Sequence, residues 1–144
     1  MKYILFLLLL AAAFTACGDK PPTGPVEVHY GEDVCERCRM IISDQRFAAE
    51  YVTKKGEAKK FDDIGCLAAE LKTDGGEDIA SGIYVADFAA GGWIDARKAH
   101  YMKSADIASP MGYGIAAFKS EEALKADPNY GPDAEIDGFG DIME

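Results

Sequence analysis

The apolar run over residues 4–14 ends in Thr15, Ala16 and Cys17, and that ending decides what the rest of the chain has to fold with. Lys2 supplies a short positive start and small residues precede the cysteine, the form of a secretory signal peptide over residues 1–16. Eleven apolar residues are too few for a bilayer core, which needs about 20 in a helix. A cysteine directly after the small residues reads as a lipidation site, although Phe14 stands where Leu is usual; the alternative is an ordinary secretory cleavage site. A lipidated Cys17 is a thioether that serves as an anchor and is lost to metal chemistry. Export then leaves three thiols, Cys35, Cys38 and Cys66, where unprotected thiols tend to pair. An odd number cannot all pair within the chain. The fold is therefore expected to rest on an apolar core and not on a disulfide scaffold. Thiols kept free in such a compartment point to work at sulfur.

The 128 residues from Cys17 onward suit one domain or two very small ones. Without Lys2 there are 14 basic side chains against 25 acidic ones, a formal net charge of −11. Such a surface repels nucleic acid and anionic lipid, and suits a basic protein surface or a cationic cargo. Residues 17–25 read as the lipidated cysteine and a flexible tether, because "GDKPPTGP" has no apolar pattern. At roughly 3.3 Å per residue the tether reaches up to about 26 Å.

Residues 26–127 form the body. "RMIIS" and "RFAAEYVTK" read as strands, "KKGE" as a turn and "EAKKF" as a returning strand. Asp63 is placed to cap a helix over "IGCLAAELK", with Ile64, Leu67, Ala68 and Leu71 on one face. "GIYVADF" and "GYGIAAFKS" read as strands, "GGWIDARKAHYM" as a strand or hairpin arm, and "SEEALKAD" as a short helix capped by Ser120. The expectation is an α+β fold of two duplicated β-β-α-β-type units, about 26–76 and 77–127, packed into one compact domain. Residues 128–144 are expected to be an acidic mobile tail. Asp133, Glu135, Asp137, Gly138, Asp141 and Glu144 match calcium-loop spacing in part, but Pro128 and Pro132 and the missing flanking helices favour coil.

Chemistry concentrates in "DVCERCRMIIS". On a strand, Cys38 and Met40 share a face, and Cys35 can fold over the same spot from the preceding turn. Two thiolates and a thioether are soft donors, which select Cu(I) over hard ions. Arg37 and Arg39 flank the thiols and are expected to favour the thiolate. Three alternatives stay open. A redox C-x-x-C usually opens a helix, whereas β-branched residues follow here. A zinc site needs a second ligand pair, and His29 and His100 are isolated. A local disulfide with Met40 buried is the third. Met111, between Pro110 and Gly112, lies on a turn and reads as presented rather than packed. Cys66 falls in the first turn of the helix capped by Asp63, where the dipole lowers a thiol pKa; a small buried residue is the alternative. Trp93 reads as core. No nucleophile–base set, nucleotide loop or hydrolase elbow is visible, so an enzyme is not expected.

"CERCRM", "FDDIGC" and "SPMGYGIAAF", in that order on a short lipoprotein, resemble the NosL family over roughly residues 34–119. The resemblance implies a Cu(I)-binding chaperone, facing the periplasm from a bacterial membrane anchor. It would help nitrous oxide reductase acquire its copper–sulfide site, beside a membrane ABC-type maturation complex. It implies a fold of paired β-β-α-β units, similar to part of organomercurial lyase. By motif, the metal ligands would be Cys35, Cys38, Met40 and Met111, with Cys66, His29 and His100 as possible additions and Cys17 as the lipid anchor. Arg39 stands where the family commonly has Gly, which bears on the tightness of that turn. The mechanism expected is ligand exchange, not catalysis. A periplasmic thiol–disulfide protein using Cys35 and Cys38 is the alternative function, and a metal-free assembly lipoprotein a third.

Overall fold

The computed structural model describes residue 22 and residues 24–131, 134–136 and 138–144. The signal peptide, Cys17 and most of the tether lie outside the described residues, as do Asp133 and Asp137 of the acidic segment.

β1 (Ala49–Thr53) and β2 (Ala58–Phe61) pair antiparallel, Ala49 opposite Phe61 and Val52 opposite Ala58. Gly56 turns between them at φ 89°, a left-handed conformation that a side chain resists. Asp63 caps α1 (Ile64–Asp74), its carboxylate accepting the Gly65 N–H at 2.9 Å. Ile64, Leu67, Ala68 and Leu71 are all buried, the face their spacing predicts. α1 ends at Gly75 in the left-handed region. A 3-10 turn, Glu77–Ile79, leads into β3 (Ala80–Ala86), which returns beside β1. β4 (Trp93–Asp95) adds to β3, giving the order β2-β1-β3-β4.

A second 3-10 turn, Ala96–Lys98, carries the chain to another sheet, with the Asp95 carboxylate accepting the Arg97 N–H at 3.1 Å. There β5 (His100–Lys103) pairs with β6 (Ile115–Phe118) and with β7 (Glu135–Ile136), in the order β6-β5-β7. α2 (Glu121–Ala126) is capped by Ser120, and α3 (Phe139–Ile142) closes the described chain with Phe139 buried. The fold is α+β. The runs β1-β2-α1-β3 and β5-β6-α2-β7 follow the same order, each with its first strand between the other two.

Several local expectations are corrected. "RMIIS" is no strand: Ile41 makes a single bridge to Val34. "GGWIDARKAHYM" is two strands in different sheets, because the turn capped by Asp95 breaks it. β3, just past the expected 76/77 boundary, pairs with β1 in the first sheet. The segment expected to be a mobile tail supplies β7, which pairs with β5, and buries Ala134 and Phe139. Its Glu135 and Asp141 sit on a strand and a helix, not in one ion-binding loop.

The main core joins both sheets across α1: Tyr51, Phe61, Leu67 and Ile83 share one cluster with Tyr101 and Ile115. A second cluster gathers Phe47, Met102, Phe118 and Leu124 beneath α2. Trp93 packs half-buried against the main core. Among the described residues, no helix is long and apolar enough to cross a membrane.

Candidate metal centre

Residues 31–42 double back on themselves. Gly31 N–H bonds Ile42 C=O at 2.9 Å, Ile42 N–H bonds Asp33 C=O at 2.9 Å, and Cys35 N–H bonds Met40 C=O at 2.8 Å. The tip closes where Arg39 N–H meets Cys35 C=O at 3.1 Å. That closure requires a left-handed residue, and Arg39 adopts φ 65°, the one positive φ outside glycine among the described residues. The turn therefore keeps its shape without glycine and carries some backbone strain. Glu36 N–H donates to Lys60 C=O at 3.0 Å, docking the tip on the open edge of β2. This docking brings the thiols over the end of β2, where Asp62 and then α1 follow.

There the Cys35, Cys38 and Cys66 sulfurs and an Asp62 oxygen all lie within 4.8 Å of one another. Cys35, Cys66 and Asp62 are buried, and Cys38 is half-buried at the rim. The Cys38 thiol faces Asp62, 3.3 Å from each carboxylate oxygen. No disulfide joins the three cysteines.

The protons in this cluster are unequally held. Cys35 is drawn down to about 6, chiefly by the Cys66 S–H donating to it, with help from the backbone N–H groups of Cys38 and Asp62. Cys66 is pushed well up by that same bond to Cys35, then by burial and by the negative charges around it. Burial pushes the Cys38 thiol up to about 11, aided by Cys35 and Asp62. The bond between them favours the negative charge on Cys35 and the proton on Cys66. The shift of Cys66 runs opposite to the lowering expected from the helix start, its bond to Cys35 and its burial both favouring the protonated thiol. The arginines do not set the thiolate either. Arg37 pairs with Glu70 at 3.2 Å and Arg39 with Glu36 at 3.3 Å, both on the surface.

A second loop closes on the same corner. Asp63 Oδ2 accepts the Ser109 hydroxyl at 2.7 Å and the Met111 N–H at 3.0 Å. Ser109 in turn accepts the Gly114 N–H at 2.9 Å, which rounds "SPMGYG" into a compact turn. Tyr113 lies over Gly65, so closely that a Cβ there would stand inside its ring. Consecutive carboxylates thus divide the work: Asp62 faces the thiols, while Asp63 caps α1 and fastens the Met111 loop.

Met111 is 41% exposed and Met40 is 50% exposed. Met40 does not share a buried face with Cys38, because the turn at Arg39 stands between them. Val34, Met40, Ile41, Met111 and Tyr113 are the exposed large hydrophobic residues among those described, and all lie on these two loops. His29 sits outside the cluster, its N–H bonded to Asp33 at 2.8 Å and its ring exposed. His100 lies on β5 opposite Phe118, also outside the cluster. Sequence reading missed Asp62. The signal was present in the doubled acid of "FDDIGC": one aspartate suffices to cap a helix, and the other, one residue earlier, points elsewhere.

Three sulfurs and an oxygen at this spacing could hold a metal ion, and a sulfur-rich donor set suits a soft one. Binding through thiolates would displace the protons on Cys38 and Cys66. The NosL family model matches residues 25–127. The chain is 30% identical over 138 residues to the copper-binding lipoprotein NosL of Stutzerimonas stutzeri, covering 85% of this chain and 70% of that protein. Its fold is similar to the crystal structure of the copper chaperone NosL from Shewanella denitrificans, with a TM-score of 0.61 at 20% identity, covering 74% of this chain and 86% of that one. Both relatives are named for copper binding or copper chaperoning, not for an enzymatic activity. On the family match over most of its length, the chain belongs to the NosL family.

Proposed function

We propose that this protein is a membrane-anchored, periplasm-facing lipoprotein that carries Cu(I). It hands the ion to the machinery maturing the copper–sulfide site of nitrous oxide reductase, including its membrane ABC-type complex. The observation that carries this reading is the convergence of Cys35, Cys38 and Cys66 within one corner whose rim bears two exposed methionines. Buried thiolates give affinity. Met40 and Met111 at the surface offer soft, weaker donors through which an incoming partner ligand can exchange. The apolar side chains of the same two loops give that partner a contact face, and the acidic surface favours a basic one. Lipidation at Cys17 supplies the anchor.

The redox alternative is disfavoured by access. A thiol–disulfide exchanger needs its thiolate at the surface, whereas here the low-pKa sulfur, Cys35, is fully buried and the reachable one, Cys38, keeps its proton.

The test is an anaerobic Cu(I) titration of the reduced full chain against a colorimetric chelator, for wild type, Cys38→Ser and Met111→Ala. One Cu(I) per chain is expected, with affinity reduced at least about 10-fold in Cys38→Ser and transfer to an acceptor altered in Met111→Ala. Failure of the wild type to compete with the chelator would end the copper-carrier reading.

A further inference from the structure

A second concave site, sharing no residue with the thiol corner, lies where the two sheets meet. β3 leads into the turn "DFAAGGW", closed by two backbone bonds of 2.9 Å, Asp87 N–H to Gly92 C=O and Gly91 N–H to Asp87 C=O. Phe88 N–H donates to Ala117 C=O at 2.8 Å, which fixes this turn to β6 in the other sheet. Gly91 and Gly92 take left-handed φ of 74° and 81°, and a Cβ on either would meet no atom within 4 Å. That wall is therefore bare backbone. Between the turn, Tyr30 and residues 45–46 is a pocket of about 320 Å³, near the lower end of the range of roughly 300–1,000 Å³ for small-molecule sites.

Tyr30, Phe88 and Trp93 line this pocket together with Arg46 and Asp87. Arg46 shows what such rings attract: its guanidinium stands 5.3 Å from the centres of both Phe47 and Phe88. Its own charge is answered by Asp44, which accepts from Nη2 at 2.7 Å and from Nε at 3.1 Å. Among the described residues no cation stands over Tyr30 or Trp93, although Trp offers the strongest ring face for one. Asp87 is 4% exposed, and its Oδ1 accepts the Ala89 and Ala90 N–H groups at 3.1 and 3.4 Å. Among the described residues no Lys, Arg or His forms an ion pair with it. Arg46, Asp44 and Asp87 thus leave a surplus of one negative charge, on a chain whose net charge is −10. Open ring faces beside an unanswered carboxylate select a cation and reject an anion. A hard metal ion needs about six or more oxygen donors, far beyond one carboxylate. A primary ammonium brings three N–H donors that each need an acceptor, whereas a methylated nitrogen brings none.

We propose that this pocket binds a small organic cation whose nitrogen is fully methylated, with choline as the type. Trp93 and Tyr30 supply the ring faces, Asp87 the counter-charge, and the Gly91–Gly92 backbone a wall without side chains. The same head group occurs on a free solute and on a choline-bearing lipid of a membrane beside the anchor. The inference goes beyond the copper reading and does not rest on it.

Trp93 is the one tryptophan of the chain, so its emission reads the pocket directly. The full chain in a maltoside detergent is titrated with choline chloride at constant ionic strength, and with the neutral alcohol in which carbon replaces the nitrogen. Choline should shift the emission saturably, with a dissociation constant on the order of 1 mM and at least about 10-fold below that of the alcohol. Tyr30→Leu and Asp87→Asn, which keep the reporter, should each weaken choline about 3–10-fold. Equal affinity for the alcohol would overturn the assignment by making the pocket merely apolar, a readout on the wild type that needs no variant to fold. No saturable shift, or an equal shift with sodium acetate or glucose, would overturn it too. A second arm places the full chain in phosphatidylglycerol vesicles with and without phosphatidylcholine. A lipid ligand shifts the emission as soon as phosphatidylcholine is present and leaves added choline without effect; a free solute shifts it equally in both vesicles. Either pattern supports the site and names its source, and a shift in neither overturns it.

Discussion

Asp63 Oδ2 lies 3.0 Å from the backbone nitrogen of Met111, and this bond fastens the Met111 loop to the start of α1, next to the thiol corner. The same carboxylate accepts the Ser109 hydroxyl and, through its other oxygen, caps α1 at Gly65. Hydrogen bonds to a charged group are worth about 1.5–3 kcal/mol each and a cap about 1, though losses at one residue do not simply add. Asp63→Ala is therefore expected to lower stability by about 3 kcal/mol and to free the Met111 loop. Urea unfolding reads the first effect, and amide exchange at residues 109–114 the second. A loss under about 1 kcal/mol would mean the loop is fastened by something else.

Tyr113 and Gly65 form an interlocked pair. Gly65→Ala puts a methyl group where the ring now lies, and is expected to cost about 2 kcal/mol through overpacking. In a Tyr113→Ala background the same change should be neutral or slightly stabilising, since Ala forms helix better than Gly. A double-mutant cycle by thermal unfolding measures the coupling, and additive effects would show that the ring does not press on α1.

The left-handed Arg39 predicts an unusual gain. A non-glycine residue there costs roughly 1–2 kcal/mol, while glycine carries its own unfolded-state cost of about 0.5–1. The exposed pair to Glu36 contributes little. Arg39→Gly should raise stability by about 0.5–1 kcal/mol. Arg39→Val, which tolerates that conformation worst, should lower it by about 1–2 and loosen the thiol cluster. Denaturant midpoints for the two variants must move in opposite directions.

Glu50 sets a pH dependence. Its Oε1 accepts the Val26 N–H at 2.6 Å, while its Oε2 is buried with no partner, and burial pushes the carboxyl up to about 7 from 4.5. Between those values the unfolded chain gives up the proton and the folded one keeps it. The contribution of Glu50 is therefore fully present below about pH 4.5 and is lost as pH rises through about 7, a change of about 3 kcal/mol. Glu50→Gln should remove that slope and be the more stable form at pH 8. The variant-minus-wild-type difference at pH 5 and pH 8 isolates Glu50 from Cys35, lowered from 9.0 to about 6, whose contribution overlaps this window with the opposite sign. An unchanged difference would mean that water reaches the carboxylate.

What was legible in the sequence was what local chemistry decides. Asp63 and Ser120 cap helices where their positions require, and the apolar spacing of α1 names its buried face. What was not legible was decided by distant partners. "RMIIS" has strand composition, yet only its bridge to Val34 forms, because the tip before it is turned back by Arg39 and pinned to Lys60. β7 is two residues long in an acidic stretch, and pairs only because β5 has a free edge. In the centre, Cys35, Cys38 and Met111 stood out by motif, but the direction of the Cys66 shift depends on which thiol donates to which, and spacing does not encode that.

The four donors of the corner come from two separate stretches, one turned back on itself and docked through Glu36 to β2, the other leaving β2 for α1. An unfolded chain offers these donors only as separate nearby pairs, Cys35 with Cys38 and Asp62 with Cys66. A cation gripped by all four therefore binds the native chain far better than the unfolded one, so occupancy and folding are a single linked equilibrium. A partner that pulls the hairpin off the edge of β2 would lower the grip on the ion without supplying a stronger ligand of its own. Unloading would then be a mechanical event at the Glu36–Lys60 contact, as well as a chemical one at sulfur.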